Sequence, residues 1–340
     1  MKTTWITTLS GALFLLLTAC GGPSGEAGKD TENIGETGNT DIDVLSQAIA
    51  EDPDDPTLYA ARARLFYQNE GYDEAIQDLS RALRLDSLNI GYHHLLADVY
   101  LDYFKSRLAL QTLDRAVAID PTHIPTLLKL SEFQLILKKY DASMQTIDRI
   151  LQIDPQNAEA YFMFGMNFKE AGDTTRAINS FQKSVELDPE LVDGWINLGQ
   201  LHAALDNDIA ARFFDSALEV APASLTALHA KADYLSGQDD LEGALAVYRE
   251  IVRIDPQYDD AYFNSGLLYL DLDSLDRAYD QFNLTLQVSP MHIKGYYFRG
   301  LTAEMQGDTA QARADYQQAL RLAPDYRRPS IGLQRLETLQ

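Results

Sequence analysis

Few residues in this chain are of a type that performs chemistry, and they do not converge. There are six histidines, His93, His94, His123, His202, His229 and His292, and a single cysteine, Cys20. A zinc hydrolase needs two histidines one helical turn apart with a glutamate between them, and no such spacing exists. His93 and His94 are sequence neighbours, so on a helix they leave from different faces and cannot share one ion. No Gly-rich loop is present to cradle a phosphate. The acidic run Glu51–Asp55 lacks the spacing of a calcium loop and fits a helix start, where an aspartate accepts hydrogen bonds from free backbone N–H groups. The residues define no catalytic, cofactor-binding or metal-ligating set, and the expectation is a protein that is not an enzyme.

The elements that would position any such residues are set by a period. Prolines fall at Pro53, Pro121, Pro155, Pro189, Pro222, Pro256, Pro290 and Pro324, with Ser87 in the ninth place; every step is 34 residues except one of 33, from Pro189 to Pro222. Self-similarity at this spacing predicts a stacked array of two-helix units. In residues 158–191, Tyr161, Phe164, Gly165 and Phe168 share one helical face, Gly172 and Asp173 interrupt it, and Ala177, Phe181, Ser184 and Leu187 form a second face that Pro189 ends. Small residues recur in each first helix (Ala63, Ala97, Ser131, Gly165, Gly199, Ala232, Gly266, Gly300) and each second helix (Ala75, Ala109, Ser143, Ala177, Ala210, Ala244, Ala278, Ala312). Four residues after the latter stands a large apolar side chain: Leu79, Leu113, Ile147, Phe181, Phe214, Tyr248, Phe282 or Tyr316. Small side chains let helix axes approach and large ones fill the space beside them, so the code is one of packing.

With these positions in view the chain resembles the tetratricopeptide repeat family. Residues 261–270 (AYFNSGLLYL), 277–290 (RAYDQFNLTLQVSP) and 194–202 (GWINLGQLH) carry the family's aromatic, Leu, Gly, Tyr, Ala, Phe and Pro positions. The resemblance covers residues 56–324 and implies an all-α, right-handed αα-superhelix of about eight hairpins: 56–89, 90–123, 124–157, 158–191, 192–224, 225–258, 259–292 and 293–326. Unit 90–123 departs most, with His93 at the usual aromatic position. Amphipathic segments at 42–55 (Leu45, Ala48, Ile49) and 327–340 (Ile331, Leu333, Leu336, Leu339) are expected to close the two ends of the stack.

Residues 1–19 form the second signal. Lys2 gives a positive start, and the apolar stretch Leu9–Leu17 is far short of the roughly 20 residues that cross a bilayer, but suits the core of a signal peptide. Leu17-Thr18-Ala19-Cys20 resembles the lipobox of bacterial lipoproteins, which implies cleavage before Cys20 and a lipid on its sulfur. Being the one cysteine, it has no disulfide partner within the chain. Residues 20–41 are rich in Gly, Thr, Glu and Asp and read as a flexible tether. Gly21 and Gly22 replace the aspartate that resembles an inner-membrane retention signal, which points to the outer membrane and its periplasmic face.

Formal net charge is −23. Nucleic acid needs a basic footprint, so it is not an expected partner. A protein or peptide is, and the resemblance names the surface, because in that family fixed positions of each first helix face a concave groove. Carried onto this sequence, units three and four present Leu128, Leu135, Ile136, Phe162 and Met166. Units seven and eight present Phe263, Leu267, Leu270, Tyr297, Leu301 and Met305. Between them lie Gln200, Ala203, Ala204, His229, Asp233 and Ser236, with Ile196 apolar, while the first two units offer Arg64, Gln68, His94, Asp98 and Asp102. Two apolar patches separated by a polar stretch suit a peptide with two anchor points, and methionines suit adaptable binding. Asn197 and Asn264 fall where family members often bond an extended peptide backbone. The lysine positions of the subfamily that grips C-terminal carboxylates hold Ala60, His94, Leu128, Phe162, Ile196, His229, Phe263 and Tyr297, so that mode is not expected. The chain thus reads as a membrane-anchored adaptor in envelope assembly; the alternative is an accessory lipoprotein of nutrient uptake that binds glycan or peptide, with Tyr297, Phe263 and Phe162 able to stack on a sugar. The oligomeric state is left open.

Overall fold

A computed structural model describes residues 40–338, and every element among them is an α-helix. The signal segment, Cys20, the tether up to residue 39, and Leu339 lie outside the described residues. Eight helical hairpins follow one another: α2 (Pro56–Gln68) with α3 (Tyr72–Leu85), α4 (Ile90–Asp102) with α5 (Ser106–Ile119), α6 (Ile124–Ile136) with α7 (Tyr140–Ile153), and α8 (Ala158–Glu170) with α9 (Thr174–Leu187). Then come α10 (Val192–Ala204) with α11 (Ala210–Val220), α12 (Leu225–Gly237) with α13 (Leu241–Ile254), α14 (Asp259–Asp271) with α15 (Leu275–Val288), and α16 (Ile293–Gln306) with α17 (Thr309–Leu322). Helices α1 (Thr40–Glu51) and α18 (Arg327–Thr338) flank them.

The packing code explains the hairpins. The small and large positions named above are all buried. Where the small position of the first helix is glycine, the large side chain of the partner helix lies over it: a Cβ built on Gly165 would sit 2.6 Å from the Phe181 ring, and one on Gly199 2.6 Å from Phe214. At these hairpins only a residue without a side chain leaves room for the ring, while the other hairpins place alanine or serine at the same position.

Each hairpin turn places one residue in the left-handed region, at Glu70, Phe104, Lys138, Gly172, Asp206, Asp239, Asp273 and Gly307, with φ between 52° and 87°. Between hairpins, a polar tip on the first helix satisfies the carbonyl of the turn proline. Tyr59, Tyr161 and Tyr262 donate their hydroxyls to Pro53, Pro155 and Pro256 at 3.1, 3.4 and 3.4 Å, and Trp195 donates its indole N–H to Pro189 at 2.8 Å. The recurring aromatic therefore has a hydrogen-bonding duty as well as an apolar one.

Each second helix packs on the next first helix, and first helices also touch one another, α2 with α4, α4 with α6, α6 with α8, α10 with α12 and α16 with α18. Second helices make no comparable contact among the described residues. A stack closed along one row and open along the other curves toward the closed row, so the first helices line the inside. The 33-residue step is absorbed in α11, which has 11 residues where every other second helix has 14. At the ends, α1 buries Ile42, Ser46 and Ile49 on α2, and α18 buries Pro329, Gly332 and Leu336 on the last hairpin.

Candidate partner-binding groove

The histidines are occupied by the fold. His123 and His292 cap α6 and α16, their Nδ1 atoms accepting from the backbone N–H of Thr126 at 3.3 Å and Gly295 at 2.8 Å. An accepting Nδ1 on His123 also takes the Thr126 hydroxyl at 2.7 Å, which leaves Thr126 Oγ1 to accept from His94 Nε2 at 2.8 Å. Burial, with Lys129 nearby, pulls the His94 pKa down to about 4. His202 stacks on Phe213 with ring centres 5.0 Å apart. His229 lies 3.0 Å from the Tyr258 hydroxyl and accepts from Asn264 Nδ2 at 3.4 Å. Among the described residues no group of three or more side chains could hold a metal ion.

The inner row of first helices carries the residues singled out in the sequence, in three regions. In the first, Leu128, Leu135, Phe162 and Met166 are half-buried, packed on the cores around Leu127 and Ile147 and around Ala177 and Phe181; Ile136 is 54% exposed. In the last, Leu267, Leu270, Tyr297 and Leu301 are half-buried and Met305 is 53% exposed. Phe263 differs from its neighbours: it is buried, its ring 4.8 Å from His292, 5.6 Å from Phe298 and 5.8 Å from Phe282. It supports the wall more than it offers contact. Tyr297 leans on Tyr326 and Tyr316, at 5.5 and 6.0 Å.

The middle region holds a polar cleft of about 340 Å³ between α10 and α12, with Phe214 and Tyr234 among its walls and Gln200, Ala203, Asp206 and Asp233 around it. Buried Tyr248 donates its hydroxyl to Asp233 Oδ1 at 2.8 Å, fixing that carboxylate. Beside the cleft, Lys169 donates to Asn197 Oδ1 at 2.7 Å and Gln200 Oε1 at 3.2 Å. Burial lowers its pKa, because its acceptors are neutral amides that only partly replace water. Asn197 is thus engaged from both sides, its Nδ2 donating to the Asp193 carbonyl at 2.9 Å, and Asn264 is turned toward His229. Lys169 was not legible as an inner-face residue from apolar patterning; only its register, one turn beyond Met166, could have marked it.

A curved stack of helical hairpins with a lined inner face defines the class of helical-repeat proteins. Sequence profiles described as tetratricopeptide repeat match residues 42–90, 105–163, 158–191, 203–259, 229–290 and 293–326, and the chain belongs to the tetratricopeptide repeat family. It is 29% identical over 135 residues to the general transcriptional corepressor ssn6 of Schizosaccharomyces pombe, covering 39% of this chain and 12% of that protein. It is 21% identical over 188 residues to the human protein O-mannosyl-transferase TMTC1, covering 54% of this chain and 21% of that protein. The chain therefore spans a small part of either relative. Among solved structures, the Cut9 and Hcn1 hetero-tetramer of the APC/C aligns with a TM-score of 0.53 at 17% identity, over 87% of this chain and 58% of that one. A tetratricopeptide repeat protein from Parabacteroides merdae aligns at 0.51 with 18% identity, over 73% of this chain and 98% of that one. These likenesses show the fold, a solenoid of helical hairpins.

Proposed function

We propose that the chain is a non-catalytic adaptor that holds a protein or peptide on its inner face, with lipid on Cys20 fastening it to the outer membrane of a bacterial envelope. The observation that carries the groove is the pairing of Ile136 and Met305, more than half exposed at the same helical position of the third and eighth hairpins. Each extends a half-buried apolar strip, Leu128 to Met166 in one case and Leu267 to Leu301 in the other. Exposed apolar strips of this kind are typical of interaction sites, and the polar cleft between them gives a bound segment hydrogen-bonding groups at mid-length. No basic footprint favours nucleic acid at a net charge of −23. No helix among the described residues is long and apolar enough to cross a membrane, so attachment rests on the lipobox sequence. The glycan reading gains no support, since Phe263 is buried and Tyr297 already leans on two tyrosines.

The test is affinity capture from detergent-solubilised membranes. The full chain should retain a defined protein. Leu267→Ser, Leu301→Ser and Met305→Ser together should release it while the far-ultraviolet circular dichroism stays unchanged. Retention by the triple variant, or capture of oligosaccharide alone, would overturn the groove assignment. Labelling with an alkynyl fatty acid, abolished by Cys20→Ala, tests the attachment separately.

A further inference from the structure

The eight hairpin turns lie along one edge of the stack, as bonds between successive turns show: Lys105 reaches Asp73 at 3.7 Å, the Tyr103 hydroxyl donates to Asp73 at 3.0 Å, and Gln306 donates to Asp276 at 2.8 Å. Charge is distributed unevenly along this edge. The turns at 102–107 and 136–141 hold four basic side chains, Lys105, Arg107, Lys138 and Lys139, against two acidic ones. The two turns that flank them, at 68–73 and 170–175, hold four acidic side chains and no basic one, and the turns at 204–209, 237–242, 271–276 and 305–310 hold nine acidic side chains and no basic one.

Phe104 stands in the first of the two basic turns, next to Lys105 and its partner Asp73. Its side chain is 93% exposed and its φ is +57°. At the same place the other turns put Gly, Asp, Glu or Lys. A left-handed conformation disfavours a bulky side chain by about 1–2 kcal/mol, and nothing in the fold receives the ring. One helical turn on, Leu108 is also exposed. Local strain at a protruding group is a reason to look for what that group meets.

The geometry points to an anionic lipid surface. A projecting aromatic in a pair of turns with a net positive charge inserts its ring among acyl chains while the lysines of the next turn, unpaired among the described residues, meet headgroup phosphates, and the acidic turns are repelled. The chain would then sit with its second and third hairpins against the bilayer and its later hairpins directed away. This docking edge meets the inner face only at its border, at Asp102 and Ile136, and does not depend on the lipid at Cys20.

Flotation of the full chain carrying Cys20→Ala, on vesicles of phosphatidylglycerol with phosphatidylcholine and on phosphatidylcholine alone, tests it. The ratio of the two partition coefficients cancels any contribution from the N-terminal segment common to both. The unmodified edge should give a ratio of about ten or more, falling with salt. Lys138→Glu with Lys139→Glu should bring the ratio toward one. Phe104→Gly should weaken binding to the anionic vesicles several-fold while the melting temperature holds or rises, which separates insertion from folding. Equal binding to both vesicles, or a ratio unchanged by both variants, overturns the proposal. A patch that instead serves an acidic protein partner would give one of those two results.

Discussion

His93 Nε2 lies 3.1 Å from the carbonyl of Ser87. This is the contact that Tyr59, Tyr161, Trp195 and Tyr262 make with Pro53, Pro155, Pro189 and Pro256, so the hairpin that departs most from the repeat keeps its bond with both partners changed. Because a carbonyl only accepts, the imidazole donates from Nε2. Its Nδ1 is then a buried acceptor with no partner. Such an atom destabilises by about 1–3 kcal/mol.

His93→Tyr should restore the pattern of the other hairpins and raise stability by about 1 kcal/mol, as it removes the orphaned nitrogen and keeps the donor. His93→Phe should give a smaller gain or none, since the Ser87 carbonyl loses its partner. Urea denaturation followed by circular dichroism separates the two, and equal midpoints would show that the bond contributes nothing.

Arg299 holds Asp315 with two bonds, Nε to Oδ2 at 2.9 Å and Nη2 to Oδ1 at 2.7 Å, and reaches Asn283 at 2.7 Å. Arg62 does the same with Asp78 and Ser46 at the first hairpin. Asp315 is 2% exposed. Asp315→Ala should therefore cost about 3–5 kcal/mol by leaving a buried guanidinium unpaired, while Arg299→Met with Asp315→Leu should cost far less. Thermal melts of both variants decide it.

Lys138 sits in the left-handed region with φ +56°, where Gly172 sits in the next hairpin at +78°. Lys138→Gly should stabilise by about 1 kcal/mol, and Gly172→Ala should destabilise by a similar amount, although an added Cβ at 172 meets nothing within 4 Å. Differential scanning calorimetry would detect either shift; a neutral Gly172→Ala would show that the turn relaxes.

Acid should weaken the fold through histidine before it does so through carboxylates. Burial lowers His94 from 6.5 to about 4 and lowers His292 in the same direction. As pH falls from 6.5, the unfolded chain takes up protons that the native His94 refuses until about 4, so stability drops across that window and levels off below it. Carboxylates pulled down by partners, such as Glu304 by Arg335, act only below their ordinary 4.5. The slope of melting temperature against pH between 6.5 and 4.5 should be shallower in His94→Gln than in the parent.

Much of the fold was written in the period. Proline spacing, the small positions and the large residues four places on determined the number of hairpins and their buried faces, because close helix contact is selected by side-chain volume and volume is visible in a sequence. The turn conformation was not visible: Glu70, Phe104 and Lys138 adopt it without the glycine that would announce it. The guanidinium pairs were hidden too, since Arg62 and Asp78 are 16 residues apart and recur in that form only as Arg299 and Asp315. In the groove, the family resemblance pointed to the first helices as the inner row but could not tell which side chains the neighbouring hairpin had already claimed. Phe263 is sealed by Phe282 of α15 and by His292 and Phe298 at the start and middle of α16, whereas Met305 is left open.

Among the described residues, several neighbouring helices of the inner row touch one another, and those of the outer row make no comparable contact. Stretching or compressing the coil therefore slides each hairpin against its two neighbours alone, and many small displacements add into a large change of pitch. Such a body behaves as an elastic element, and its grip on a long ligand would be adjustable by tension between its ends.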